Sequence, residues 1–112
     1  MIAQQLFSLA GQVAIVTAAA SGLGRAYAEV LAANGARVVV TDIDAVGLDT
    51  VVRSIREAGG EAYARTLDAG SRQAIHDVTH QVVADFGRLD IAFANAGISA
   101  GPGFAFTEGG SW

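Results

Sequence analysis

Residues 17–24 read TAAASGLG, a run of small residues in which Thr17 is followed by Ser21, Gly22, Leu23 and Gly24. Glycines at such a turn let the backbone approach a diphosphate, and a helix starting there presents free N–H groups and a favourable dipole. A Gly-x-Gly pair alone fits an ordinary tight strand-to-helix turn equally well. Asp42 stands about 20 residues downstream, where a carboxylate can accept the hydroxyls of an adenosine ribose. The same charge repels a 2′-phosphate, and no arginine or lysine stands beside Asp42 to receive one, while Arg25 falls inside the following helix as a surface or packing residue. The combination implies NAD rather than NADP. For Asp42 the plain alternative is a turn or helix-capping aspartate.

Other chemistry is thinly represented. His76, Asp77 and His80 form an HDxxH string, with two histidines one helical turn apart as in some zinc sites, yet no third ligand is evident and a solvated helix face is the expected reading. Ser99, Glu108 and Ser111 lack a base at a useful spacing, so no nucleophile is expected among them. There is no cysteine, which removes disulfides, thiolate metal sites and cysteine nucleophiles. There is also no lysine: Tyr27 and Tyr63 are followed four residues later by Leu31 and Leu67.

The elements that would position the turn follow from the apolar pattern. Residues 13–17, 38–41, 62–67 and 89–94 are short apolar runs of the kind buried on both faces of a parallel sheet. Between the first two, Leu23, Ala26, Tyr27, Val30 and Leu31 recur at helical spacing before Asn34-Gly35. Asp44 can cap a second helix that buries Leu48, Val51, Val52 and Ile55 and ends at Gly59-Gly60. Ser71 can cap a third, with Ile75, Val78, Val82, Val83 and Phe86 on one stripe before Gly87. Alternation of this length implies an α/β fold, a Rossmann-like parallel sheet in the order 3-2-1-4. The fourth strand is then an apolar sheet edge, and a second copy of the chain or a partner chain is expected to pair with it.

The whole of residues 1–112 reads as one partial dinucleotide-binding domain, with 98–112 a loop-like tail that holds the single proline. A net charge of −4, with seven arginines spread singly, argues against nucleic acid and anionic membranes. No apolar run approaches the roughly 18 residues of a membrane span, and the N-terminus lacks a secretory signal. A cytoplasmic location is expected.

Three segments carry a family resemblance. TAAASGLG resembles the TGxxxGxG turn of the short-chain dehydrogenase/reductase family, RVVVTDID its second strand with an NAD-selecting aspartate, and IAFANAG its NNAG segment. The likeness runs from about Leu9 to Trp112. It implies that Ser21, Leu23 and the neighbouring backbone of Thr17, Gly22 and Gly24 contact the diphosphate, and that Asp42, with Ile43 beside it, meets the adenosine ribose. It further implies that Asp68, with Leu67, meets the adenine amino group, and that Asn95, Ala96 and Gly97 line the path to the nicotinamide ribose. Without the resemblance, Asp68 would be a loop aspartate before a helix and Asn95 a turn residue. Ala18 and Ala94 depart from the pattern, replacing the first glycine and the first asparagine. Ala18 is harmless at negative φ and strained in the left-handed region.

The family's chemistry uses a tyrosine acid/base with a lysine four residues later, a serine and an asparagine, all beyond the length of this chain. Trp112 resembles the residue opening the segment that leads to that asparagine. The resemblance therefore implies an NAD(H)-binding part of an oxidoreductase acting on an alcohol or carbonyl, inactive alone. The alternatives are a non-catalytic nucleotide-binding or interaction module docking through the fourth strand, and a methyltransferase-like Rossmann domain, which would not predict Asn95-Ala96-Gly97.

Overall fold

A computed structural model describes residues 8–68 and 70–94. Four strands, β1 (Val13–Val16), β2 (Arg37–Asp42), β3 (Glu61–Thr66) and β4 (Ile91–Phe93), alternate with three helices, α1 (Gly22–Ala33), α2 (Ala45–Glu57) and α3 (Arg72–Phe86). All neighbouring strands are parallel, in the order β3-β2-β1-β4. This is the expected α/β sheet, with strand bounds shifted by one or two residues. Thr17 and Leu67 fall just after β1 and β3, and Leu89 just before β4.

The period of two along each strand divides the core between the two faces. Ala14, Val16, Val38, Val40 and Ala62 pack with Leu31, Leu48, Val51, Val52 and Ile55 of α1 and α2. Val13, Ile15 and Val39 point the other way, to Val78 and Val82 of α3 and to Leu67. Every residue of β1 is buried, as a strand covered by helices on both faces must be. Thr41 is a fully buried polar residue within this core, and its hydroxyl donates to the Val16 carbonyl at 3.0 Å.

Two helix faces differ from the apolar pattern of the sequence. On α1 the buried residues are Gly24, Ala28, Leu31 and Ala32, whereas Leu23 and Val30 are more than half exposed. Tyr27 lies flat on Phe93 of β4, ring centroids 4.0 Å apart. Small residues beside Leu31 let the helix approach the sheet closely, and Tyr27 reaches β4 from its flank. On α3, Val78 and Val82 are buried with Ala74 and Phe86 packed beside them, while Ile75 and Val83 are about two-fifths exposed.

One anchor was not expected from the sequence. The Asp90 carboxylate accepts the Val13 N–H at 2.8 Å, and the Asp90 N–H donates to the Val13 carbonyl at 2.9 Å. Arg88 grips the same carboxylate with two N–H groups at 2.8 and 2.9 Å. The guanidinium foremost, and then the Val13 amide, hold the Asp90 carboxyl below its ordinary range. This clamp fixes where β4 starts alongside β1.

Candidate functional site

The turn expected to contact the diphosphate occupies the C-terminal edge of the sheet, where open α/β sheets bind ligands. β1 ends at Val16, and the Thr17 N–H donates to the Phe93 carbonyl at 3.0 Å. The next residue, Ala18, has φ +51°, so the residue standing where a glycine was expected does adopt the left-handed region. The chain then crosses over the end of β2. The Ala19 N–H donates to the Thr41 carbonyl at 3.0 Å, and the Ala20 N–H to Oδ2 of Asp42, also at 3.0 Å.

Ser21 is the N-cap of α1 in extended conformation, yet its side chain makes no capping hydrogen bond, and no acidic residue stands in the first turn. Gly22 follows at φ +61°, with no atom within 4 Å of the position a Cβ would take. The Arg25 N–H makes a first-turn bond to the Ser21 carbonyl at 3.4 Å. The amides of Gly22, Leu23 and Gly24 precede it, and a helix start of this kind attracts an anion through its N–H groups and dipole. Arg25 itself pairs with Glu29 at 3.1 Å along α1, as a surface residue.

Asp42 stands at the tip of β2. Its Oδ1 accepts the Asp44 N–H at 3.0 Å while Oδ2 holds Ala20, and each oxygen keeps capacity for a second donor. Asp44 caps α2 by accepting the Gly47 N–H at 3.0 Å. Beyond Asp42 a groove of about 330 Å³ is lined by Ile43, Thr66, Leu67, Asp68, Ala74, Asp77 and Val78. That volume lies at the lower end of the roughly 300–1,000 Å³ of small-molecule pockets, enough for part of a dinucleotide. Ile43 is 76% exposed and forms an apolar wall of the groove. Asp68 does double duty: Oδ1 accepts the Gly70 N–H at 2.9 Å and its carbonyl accepts the Ser71 N–H at 2.9 Å, shaping the entry into α3.

Thr17, Ser21, Gly22, Leu23, Gly24, Asp42, Ile43, Leu67 and Asp68 thus lie along one edge, on the turn after β1 and at the ends of β2 and β3. Asn95, Ala96, Gly97 and the tail lie outside the described residues. Thr66 and Gly47 were not singled out from the sequence, and Asp77 was named there only as part of the HDxxH string. Gly47 matters because a Cβ there would meet Asp44 Oδ2 at 2.5 Å and the Ala20 Cβ at 2.9 Å, so the start of α2 closes against the turn. A glycine three residues after a capping aspartate was the available signal. A second hollow of about 230 Å³ lies between the C-terminal ends of α1 and α2, lined by Glu29, Ala33, Ser54 and Gly60 among others, at the opposite edge of the sheet.

The remaining candidates fall away from this edge or lack partners. The rings of His76 and His80 lie 4.3 Å apart, tilted by 41°, on the exposed side of α3, and among the described residues no group of three potential ligands could hold a metal. The Tyr63 hydroxyl donates to Glu61 at 3.0 Å, which raises its pKa and disfavours the phenolate a tyrosine base requires. Among the described residues, no helix is long and apolar enough to cross a membrane.

Residues 12–112 match the family model described as short chain dehydrogenase. Cyclohexanol dehydrogenase of Rhodococcus sp. (strain TK6) is 42% identical over 83% of this chain, which spans 39% of that relative. Among solved structures, hydroxysteroid dehydrogenase from Escherichia coli aligns with TM-score 0.75 and 35% identity, covering 79% of this chain and 37% of that one. A metagenomic short-chain oxidoreductase in complex with NADP aligns with TM-score 0.72 and 44% identity, over 75% of this chain and 38% of its own. These names are oxidoreductases rather than interaction modules or methyltransferases. With the matched segment, the strand order and the glycine-rich turn in agreement, the chain belongs to the short chain dehydrogenase family.

Proposed function

We propose that this chain is the cofactor-binding part of an oxidoreductase that exchanges hydride between NAD(H) and an alcohol or carbonyl. The diphosphate would lie against Ser21 and the amides of Gly22, Leu23 and Gly24. The adenosine ribose would meet Asp42, and the adenine would enter the groove of Ile43, Leu67 and Asp68. Asn95, Ala96 and Gly97 would line the way to the nicotinamide ribose. A nicotinamide cofactor supplies the hydride acceptor; the residues named here bind and orient it.

The observation that supports the preference for NAD is the Asp42 carboxylate at the tip of β2, which on this reading would repel the added negative charge of a 2′-phosphate. The 44% identical structure in complex with NADP makes that preference the point to test. Calorimetric titration with NAD+ and NADP+ should show NAD+ bound at least about tenfold more tightly, the factor that corresponds to about 1.4 kcal/mol. Asp42→Ser should narrow the ratio. Tighter binding of NADP+ by the unaltered protein would overturn the assignment.

Names such as cyclohexanol dehydrogenase and hydroxysteroid dehydrogenase support a secondary alcohol as substrate of the whole domain. The chain spans little more than a third of those relatives, and its sequence contains no Tyr-x-x-x-Lys pair. Alone it should therefore bind cofactor without transferring hydride, because a sequence without lysine offers no Tyr-x-x-x-Lys pair to take the alcohol proton.

A further inference from the structure

We propose that Asp42 is also the positioning residue that sets the conformation of the glycine-rich turn, so that sugar selection and the shape of the diphosphate cradle depend on one carboxylate. The inference extends the cofactor reading above, which supplies its functional consequence, but its first observable belongs to the ligand-free protein.

The turn is held at few points. Thr17 is tied to β4 through Phe93, and Ala19 to β2 through the Thr41 carbonyl. Between these ties Ala18 occupies the left-handed region, which an alanine leaves unless its neighbours are fixed. The last tie before Ser21 is the Ala20 N–H to Asp42 Oδ2 bond, at 3.0 Å. The other oxygen accepts Asp44 N–H, at the N-cap of α2, and the start of α2 in turn approaches the Ala20 side chain across Gly47. One carboxylate thus clasps the turn on one side and the α2 cap on the other.

Two consequences follow from the donor and acceptor count. The Ala20 amide is engaged by Asp42, so the cradle's anion donors begin at Ser21. The two N–H groups meet different oxygens of Asp42, so an asparagine in the same rotamer turns its NH2 towards one of them, and either Ala20 or Asp44 loses its acceptor. Exchanging the aspartate for a neutral residue to admit a 2′-phosphate would therefore loosen the cradle that has to hold the diphosphate.

Inorganic pyrophosphate separates positioning from charge. It lacks a ribose, so removing the negative charge of Asp42 should by Coulomb repulsion alone strengthen its binding. If Asp42 positions the turn, Asp42→Asn instead weakens it by about threefold or more, the penalty expected when the competent turn is populated about a third of the time. The probe is pyrophosphate followed by the amide shifts of Ser21, Gly22, Leu23 and Gly24. Equal or tighter binding by the variant overturns the proposal.

Hydrogen exchange of the ligand-free protein gives the second reading. In the unaltered chain the Ala20 amide should exchange at least about tenfold more slowly than that of Gly22, as a bonded amide does beside an open one. Asp42→Asn should remove that protection at Ala20 or at Asp44. Equal exchange at Ala20 and Gly22 in the unaltered protein overturns the proposal even where the variant does not fold. Failure of NAD+ to bind while the Ala20 protection persists would instead count against the cofactor reading.

Discussion

Replacing Ala18 with glycine should stabilise the protein, although glycine at an ordinary position does the reverse. Ala18 is held at φ +51°, between residues whose amides are tied to β4 and β2, so it cannot relax without breaking those bonds. A left-handed conformation costs a residue with a Cβ about 1–2 kcal/mol. Glycine avoids that cost, but its freer unfolded chain gives back about 0.4–1 kcal/mol. Taking the middle of each range, the net gain is about 0.8 kcal/mol. For a domain of this size that raises the melting temperature by about 2–8 °C. With a urea m-value of about 1–3 kcal/mol/M, the midpoint should rise by a few tenths of a molar. Chemical denaturation of Ala18→Gly and of the unaltered chain under one set of conditions measures both. A midpoint that falls would refute the reasoning, because it would mean that Ala18 sits at negative φ and that the turn has a different shape. Ala18→Val, with a branched Cβ in the same conformation, should lower the midpoint.

The close approach at Gly47 makes Gly47→Ala destabilising by about 1–3 kcal/mol, since the added methyl displaces both the capping Asp44 and Ala20, and denaturant titration reads the loss. Asp90 predicts a pH dependence. Its folded pKa lies below the ordinary 3.8 through the Arg88 and Val13 bonds, so its contribution is complete above that value and is lost as pH falls through the folded pKa. Urea midpoints measured from pH 5 down to pH 2 should therefore fall less steeply for Asp90→Asn than for the unaltered chain; parallel profiles would show that the clamp does not contribute. Tyr27→Ala should loosen β4 by removing the ring stacked on Phe93, seen as faster exchange of the Thr17 amide, which bonds the Phe93 carbonyl.

The sheet was legible because it depends on patterns that sequence displays directly. Apolar runs such as VAIV and RVVVTD mark buried parallel strands, and Asp44, Ser71 and Gly87 punctuate the helices where the caps are found. The orientation of α1 was not legible in the same way. Leu23 and Val30 are more hydrophobic than Gly24 and Ala28, yet close packing against the sheet selects the smaller residues. At the site, glycines and carboxylates identified the edge, but the backbone left no mark. That Ala18 takes positive φ, and that the Ala20 amide is held by Asp42, depend on dihedral angles and amide positions that residue names do not encode. Asp90 was passed over because its partner is the backbone of Val13, 77 residues away.

The central claim is that an adenine dinucleotide binds along the C-terminal edge of β1, β2 and β3. Titrating NAD+ into isotopically labelled protein and following backbone amides tests it most directly. The account predicts shifts concentrated at Ser21, Gly22, Leu23, Gly24, Asp42, Ile43 and Asp68, with Glu29, Ser54 and Gly60 at the opposite edge unmoved. Shifts centred on Glu29, Ser54 and Gly60, or saturation that leaves Ser21 and Asp42 in place, would contradict it.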